Sequence, residues 1–118
     1  MSFYFFDSNG MAFAYSDNEE IIYTFCGRPM AYLYNESVYA FSGCHRGFFE
    51  DGQIWDSKGG VVLFTPKAIG GPMKPLKSAP PLKVFRQLVP FKALRNVKPP
   101  RPFKTMSWSN TLPEKHFT

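Results

Sequence analysis

The sequence predicts an all-β fold in which four β-hairpin repeats are arranged with pseudo-four-fold symmetry and wrapped by an extended, basic, proline-rich C-terminal tail. Two observations predict it. Glycines recur every sixteen or seventeen residues in the first half of the chain, and the charge and composition change near residue 66. With 118 residues and a hydrophobic fraction of 44%, the chain suits a single domain, with repeats in residues 1–66 and the tail in residues 67–118.

The repeat is defined by four glycines and two columns of aromatic residues. One aromatic residue precedes each glycine by four positions, and another follows it by five. The glycines are Gly10, Gly27, Gly43 and Gly59; the preceding aromatics are Phe6, Tyr23, Tyr39 and Trp55; the following ones are Tyr15, Tyr32, Phe48 and Phe64. A unit of this length is too short for a pair of helices but holds two strands and two tight turns, so each unit is predicted to be a β-hairpin.

Each hairpin is predicted to turn at its glycine. A two-residue turn needs backbone with positive φ, which glycine adopts without a steric cost. With such a turn in the second hairpin, Tyr23 and Met30 would share one face, and Ile22 and Ala31 would share the other. Both faces are largely apolar. We therefore expect the hairpins to pack on one another and to need a further cover.

The tail differs from the repeats in charge and in backbone chemistry. Residues 67–118 hold eleven basic residues and one acidic residue, whereas residues 1–66 hold three basic and eight acidic ones. The many prolines exclude long helices and favour extended backbone. Leucine and phenylalanine alternate with the cations in a repeated proline-apolar-lysine step. We therefore expect the tail to wrap the hairpins, burying its apolar side chains and placing its cations beside the carboxylates.

Several motifs together resemble one known family. The pattern Tyr-x-Phe-x-Gly-x-x-x-Ala-Tyr runs from Tyr23 to Tyr32, and Gly70-Gly71-Pro72 precedes a tail that ends in Ser107-Trp108-Ser109. Over essentially the whole chain, this organisation resembles the bacterial four-fold β-flower domain family. The resemblance implies four petals around a pseudo-four-fold axis. It implies no assigned activity and no catalytic residues.

The function that we expect is that of a small cytoplasmic protein-interaction or assembly module, with a protein partner or a second copy of the chain. The alternative is a protein that binds nucleic acid or another polyanion through its tail, because cations interleaved with aromatics contact phosphates and bases. The residues predicted to contact a polyanion or partner are Lys74, Lys77, Lys83, Arg86, Lys92, Arg95, Lys98, Arg101 and Lys104. Trp108 is expected to anchor the tail to the hairpins, with ligand stacking as the alternative.

Motifs that carry chemistry are missing from the sequence. It contains no phosphate-binding glycine loop, no zinc-protease motif, no Cys-x-x-Cys and no nucleophile elbow. We therefore predict no catalytic, cofactor-binding or metal-binding residues. Two cysteines cannot form a disulfide scaffold, which favours a reducing compartment. No apolar stretch is long enough for a spanning helix, so we expect no membrane partner.

A third interpretation is an enzyme built around Cys44 and His45. The neighbouring Arg46 and the imidazole would lower the pKa of the thiol, so Cys44 is predicted to be the more reactive of the two cysteines. The alternative is a small thiol beside an exposed histidine. The chain end after about Asn110, including His116, is expected to be solvated and to fray.

Overall fold

A computed structural model describes residues 3–117 and places eight short antiparallel strands in a closed barrel. Each strand pairs with its neighbours in sequence, and the first pairs with the last. The strands are β1 Phe3–Phe6, β2 Ala12–Ser16, β3 Ile21–Thr24, β4 Pro29–Tyr34, β5 Ser37–Tyr39, β6 His45–Glu50, β7 Gln53–Trp55 and β8 Val61–Phe64; one short helix, α1, spans Pro113–His116. The predicted all-β fold of four hairpins is confirmed.

The glycine turns are longer than the predicted two residues. In the first hairpin, the amide of Asp7 donates to the carbonyl of Met11, and the amide of Gly10 donates to the carbonyl of Asp7. Three residues therefore form the loop, and the last of them, Gly10, has a φ of +81°. The two-residue prediction was wrong because the sequence shows where φ must be positive but not how many residues precede that point.

The longer turn changes which side chains face the interior. In the second hairpin the register shifts between Ile22 and Tyr23, as at a β-bulge. Ile22 and Ala31 pack together as predicted, and Met30 joins their cluster instead of facing outward beside Tyr23. The bulge therefore adds a large apolar side chain to the barrel interior.

The barrel interior is built from four equivalent strand pairs. In each hairpin a bulky apolar residue lies opposite a residue of the neighbouring strand, and three of those four partners are small. The pairs are Phe5 with Ala14, Ile22 with Ala31, Val38 with Gly47 and Ile54 with Leu63. All eight residues are buried. The small partners leave room for the bulky ones at the shared centre, which an eight-stranded barrel fills with side chains.

The outer wall of the barrel carries four aromatic pairs, each of which joins one hairpin to the next. A residue of the second aromatic column lies opposite a residue of the first column on the neighbouring strand. The pairs are Tyr15 with Tyr23, Tyr32 with Tyr39, Phe48 with Trp55 and Phe64 with Phe6. The rings of Tyr15 and Tyr23 stack with centroids 5.7 Å apart. The aromatic columns therefore hold the hairpins together side by side.

The C-terminal end is packed into the barrel. Phe117 is 7% exposed and belongs to the interior apolar cluster, and the ring nitrogen Nε2 of His116 contacts the carbonyl oxygen of Arg46. Burial lowers the pKa of His116. The expectation of a solvated end was wrong for His116 and Phe117, because the ring of Phe117 packs in the core.

The described residues contain neither a helix that could span a membrane nor a cluster that could hold a metal ion. Between residues 3 and 117, no helix is long and apolar enough to cross a membrane. In that part of the chain, no group of three or more histidine, cysteine, aspartate or glutamate residues is arranged to hold a metal ion.

Candidate interaction surface on the tail

The tail carries a nine-residue repeat that is in register with the four hairpins. In each unit one backbone amide donates to the carbonyl of a turn glycine, at 2.7 to 2.9 Å. The donor and acceptor pairs are Ser78 with Gly10, Gln87 with Gly27, Asn96 with Gly43 and Thr105 with Gly59. The donors are nine residues apart, whereas the glycines are sixteen or seventeen apart. A short linear repeat therefore follows a longer folded one around the barrel.

This repeat was not predicted, although the sequence contains a signal for it. The segments Lys83-Val84-Phe85-Arg86-Gln87 and Lys92-Ala93-Leu94-Arg95-Asn96 share the order cation, aliphatic, apolar, cation, amide. The proline-apolar-lysine step is easier to recognise, but it starts at irregular intervals. It therefore does not indicate the nine-residue period.

The backbone of the tail lies directly on the turn glycines. At Gly27 a Cβ atom would overlap the carbonyl oxygen of Phe85, and at Gly43 it would overlap that of Leu94. The first and fourth glycines meet the tail in the same way. Each turn glycine is therefore required twice, once for a positive φ and once for the close approach of the tail.

The cations of the two middle units lie on the outer aromatic pairs. The Nζ of Lys83 is 4.5 Å from the ring centroid of Tyr15 and 2.8 Å from a carboxylate oxygen of Asp17. In the next unit Lys92 is 4.8 Å from the centroid of Tyr32 and 3.2 Å from an oxygen of Glu20. Each lysine thus combines a cation-π contact with an ion pair.

The second cation of each middle unit lies on a neighbouring ring. The guanidinium of Arg86 is 5.1 Å from the centroid of Tyr23, and that of Arg95 is 3.6 Å from the centroid of Tyr34. The hydrogen bond with Asp17 raises the pKa of Lys83, so this lysine stays charged where it lies.

Three of the five remaining predicted contact residues also contact the hairpins. Arg101 contacts the carboxylates of Glu36 and Glu50, and Lys104 is 5.2 Å from the ring centroid of Trp55. The Nζ of Lys98 donates to the carbonyl of Asn35 at 2.9 Å. Lys74 donates to the carbonyls of Gly70 and Pro72 and lies 5.8 Å from the centroid of Trp108, and Lys77 is exposed.

Most apolar side chains of the tail point away from the barrel, whereas Trp108 and Phe117 pack against it. Nine of the outward-pointing side chains, which we call the outer apolar row, are 91 to 99% exposed. The row consists of Met73, Leu76, Leu82, Phe85, Leu88, Phe91, Leu94, Val97 and Phe103. The tail reaches the carboxylates as expected, but the prediction that it buries its leucines and phenylalanines was wrong. The cations occupy the inner side, so the apolar residues between them face outward.

Trp108 lies beside the fourth aromatic pair. The amide of Ser109 donates to the carbonyl of Val61 at 2.8 Å, which adds a short parallel bridge to the last strand, β8. The indole ring is 5.7 Å from the ring of Phe64. Trp108 therefore contacts the barrel through both its side chain and the backbone around it.

The two cysteines differ in exposure and in hydrogen bonding. Cys26 is exposed, and its Sγ lies 2.9 Å from the Oγ1 of Thr24, which lowers the pKa of the Cys26 thiol. Cys44 is partly buried. The imidazole of His45 lies 2.9 Å from the hydroxyl of Ser37, and burial lowers the pKa of His45.

We predict that Cys26 is alkylated faster than Cys44 at neutral pH. A Thr24→Val substitution should slow the alkylation of Cys26, because it removes the hydroxyl that stabilises the thiolate. Thr24→Ser keeps the hydroxyl and serves as the control. Mass spectrometry of both cysteines over time measures the rates, and faster labelling of Cys44 would contradict the prediction.

One of three comparisons with known proteins gave a match. A family model described as "4-fold beta flower protein" matches residues 4–117, which include both the hairpins and the tail. No curated protein and no solved structure matches the chain.

Proposed function

Because the chain belongs to the 4-fold beta flower family, whose name describes a fold and no activity, we propose its function from its surface: it is a protein-interaction module that associates through the outer apolar row. The observation that carries the proposal is the exposure of nine large apolar side chains on one segment. Large apolar side chains exposed on a protein surface are typical of an interaction site.

The geometry of the tail supports an ordered interaction surface. The backbone of each unit is fixed to a turn glycine by a hydrogen bond, so the outer side chains are held in place before a partner arrives. Successive members such as Leu82, Phe85 and Leu88 are three residues apart, which is roughly 10 Å along an extended chain. A partner that buries them gains hydrophobic free energy with little loss of backbone freedom.

The four-fold arrangement favours an interaction that uses several units at once. Four similar tail units lie on the four turn glycines, and the molecule measures 36 by 36 by 25 Å. Three outer side chains on one side supply about 500 Å² of apolar surface, whereas a stable interface needs about 800 Å² from each partner. We therefore propose binding through adjacent units together, either to another protein or to a second copy of the chain.

The placement of the cations favours this proposal over the polyanion alternative. A surface that binds phosphates presents its lysines and arginines to solvent. In this tail Lys83, Lys92 and Arg101 instead contact carboxylates of the hairpins. A cytoplasmic location is also part of the proposal, because both cysteines are free thiols, as is usual in a reducing compartment.

A fourfold variant of the outer apolar row tests the proposal. Replacing Leu76, Phe85, Leu94 and Phe103 by serine should strongly weaken self-association and the binding of an apolar dye, because it removes four of the nine exposed side chains of the row. The melting temperature should change little because these side chains are exposed. Light scattering at micromolar concentration and dye fluorescence measure the effect.

The control for this test changes charge and leaves the apolar row intact. A Lys77→Ser substitution alters another exposed side chain and should leave association unchanged. A wild-type protein that is monomeric, binds no apolar dye and captures no protein through the row would contradict the proposal. Binding to nucleic acid that weakens steeply with salt would favour the polyanion alternative.

A further inference from the structure

We infer that each hairpin site that holds a unit of the tail is a binding site for an extended basic peptide, and that a second copy of the chain can supply that peptide from its own tail. The segment that such a site recognises has the order cation, any residue, apolar residue, cation, polar residue, as in Lys83 to Gln87. This inference concerns the inner side of the tail and goes beyond the proposed function, which rests on the outer apolar row.

The two middle sites make the same set of contacts. At the second hairpin the amides of Val84 and Gln87 donate to the carbonyls of Phe25 and Gly27, at 3.4 and 2.8 Å. At the third hairpin the corresponding donors are Ala93 and Asn96, which donate to Phe41 and Gly43 at 2.8 Å each. Backbone hydrogen bonds fix the direction and register of the segment, as in other modes of extended-peptide recognition.

The side-chain contacts of these sites are of the same kinds, although the partners stand at different positions of the repeat. In each site a lysine lies on the outer tyrosine pair and pairs with a carboxylate: Asp17 at one site, Glu20 at the other. An arginine three residues later lies over a neighbouring tyrosine. A tail unit therefore meets a tyrosine, a carboxylate and a second tyrosine at either site, and a unit from another molecule meets them too.

Release of a unit from its own site exposes little new apolar surface of the tail. Leu82, Phe85 and Leu88 are already exposed while the unit is bound. The unit is held by a few backbone hydrogen bonds and by cations that lie near the surface, which are the contacts that open most readily in folded proteins. What the opening uncovers is the tyrosine pair, the carboxylate and the glycine carbonyl of the hairpin, which together form the peptide site.

A glycine pair lies where the tail leaves the barrel. Gly70 and Gly71 both have a φ of +74°, and a Cβ at Gly70 would have no atom within 4 Å. The side-chain amide of Gln53 donates to the carbonyls of Ile69 and Gly70 and holds the chain up to this point. The glycine pair provides a hinge at this end of the tail; because Phe117 holds the other end in the core, exchange of the tail between two copies also requires Phe117 to leave its place there.

The test uses the full chain with its two middle sites opened. Lys83→Ala, Arg86→Ala, Lys92→Ala and Arg95→Ala together remove the cations that hold the tail there. The probe is a fluorescent peptide with the wild-type sequence of residues 82–98. Its anisotropy should show binding to the opened chain that is on the order of 10-fold tighter than binding to the wild-type chain, in which the tail competes.

Two controls separate a specific site from general attraction of charge. A peptide of the same composition in scrambled order should bind much more weakly, and adding Gly27→Ala and Gly43→Ala to the opened chain should remove binding by filling the sites. Equal binding of the two peptides, or no binding to an opened chain that keeps its β-sheet circular dichroism, would overturn the inference.

If the opened variant does not fold, hydrogen exchange on the wild-type chain tests the inference. Hydrogen exchange reports release of the tail at the amides of Gln87 and Asn96, and the amide of Phe49, bonded to Glu36 within the barrel, is the reference. We expect excess wild-type peptide to speed exchange at Gln87 and Asn96 several-fold by displacing the tail, without affecting Phe49. No change at all three amides would overturn the inference.

Discussion

A Gly27→Ala substitution is expected to detach the tail from the second hairpin and to lower the free energy of unfolding by about 2–4 kcal/mol. Gly27 has a φ of +90°, which an alanine adopts only with strain. Its Cβ would also overlap the carbonyl oxygen of Phe85, and this backbone atom cannot move while the amide of Gln87 stays bonded to Gly27. Urea unfolding and trypsin cleavage at Arg86 measure the two effects.

Gly70→Ala is the matched control for this prediction. Gly70 also has a positive φ, +74°, but no atom lies where its Cβ would be placed. Its substitution should therefore cost only the backbone strain, about 1–2 kcal/mol, and leave Arg86 protected from trypsin. Equal losses of stability, with equal protection of Arg86 in both variants, would show that the close approach of the tail contributes nothing.

The hairpins were predictable because their pattern is local. The spacing of Phe5, Gly10 and Ala14 is repeated in each unit. Because successive side chains of a strand point to opposite faces, this spacing predicts which residues share a face. The pairing of Tyr15 with Tyr23 across two hairpins was not predictable in the same way. This pairing depends on the length of the turn that joins one hairpin to the next and on the three-residue glycine turn. The spacing determines neither of them.

The orientation of the tail could not be deduced from its composition. Phe85 and Phe64 are the same residue type, yet the first is exposed and the second is buried. The difference arises because backbone contacts with Gly27 set the register of the tail, and that register places Lys83 and Arg86 on the tyrosines. Hydrophobicity alone predicts the opposite arrangement, because it assigns no energy to a cation on an aromatic ring.

A Phe117→Ala substitution is expected to destabilise the protein by about 3–5 kcal/mol, because it removes a large side chain from the barrel interior and leaves a cavity. Phe117 packs in the cluster that contains Ile22, Val38 and Val62, and this cluster is shared by all four hairpins. The loss should also free α1 and weaken the contact of His116 with the carbonyl of Arg46. Thermal unfolding should show a decrease in Tm of roughly 10–20 °C.

Phe103→Ala provides the control for this prediction within the same tail. The two substitutions remove the same atoms, but Phe103 is 96% exposed, whereas Phe117 is 7% exposed. Phe103→Ala should therefore change the stability by less than about 0.5 kcal/mol. If the two variants melt at the same temperature as the wild type, the C-terminus does not contribute to the core. The barrel would then be complete without it.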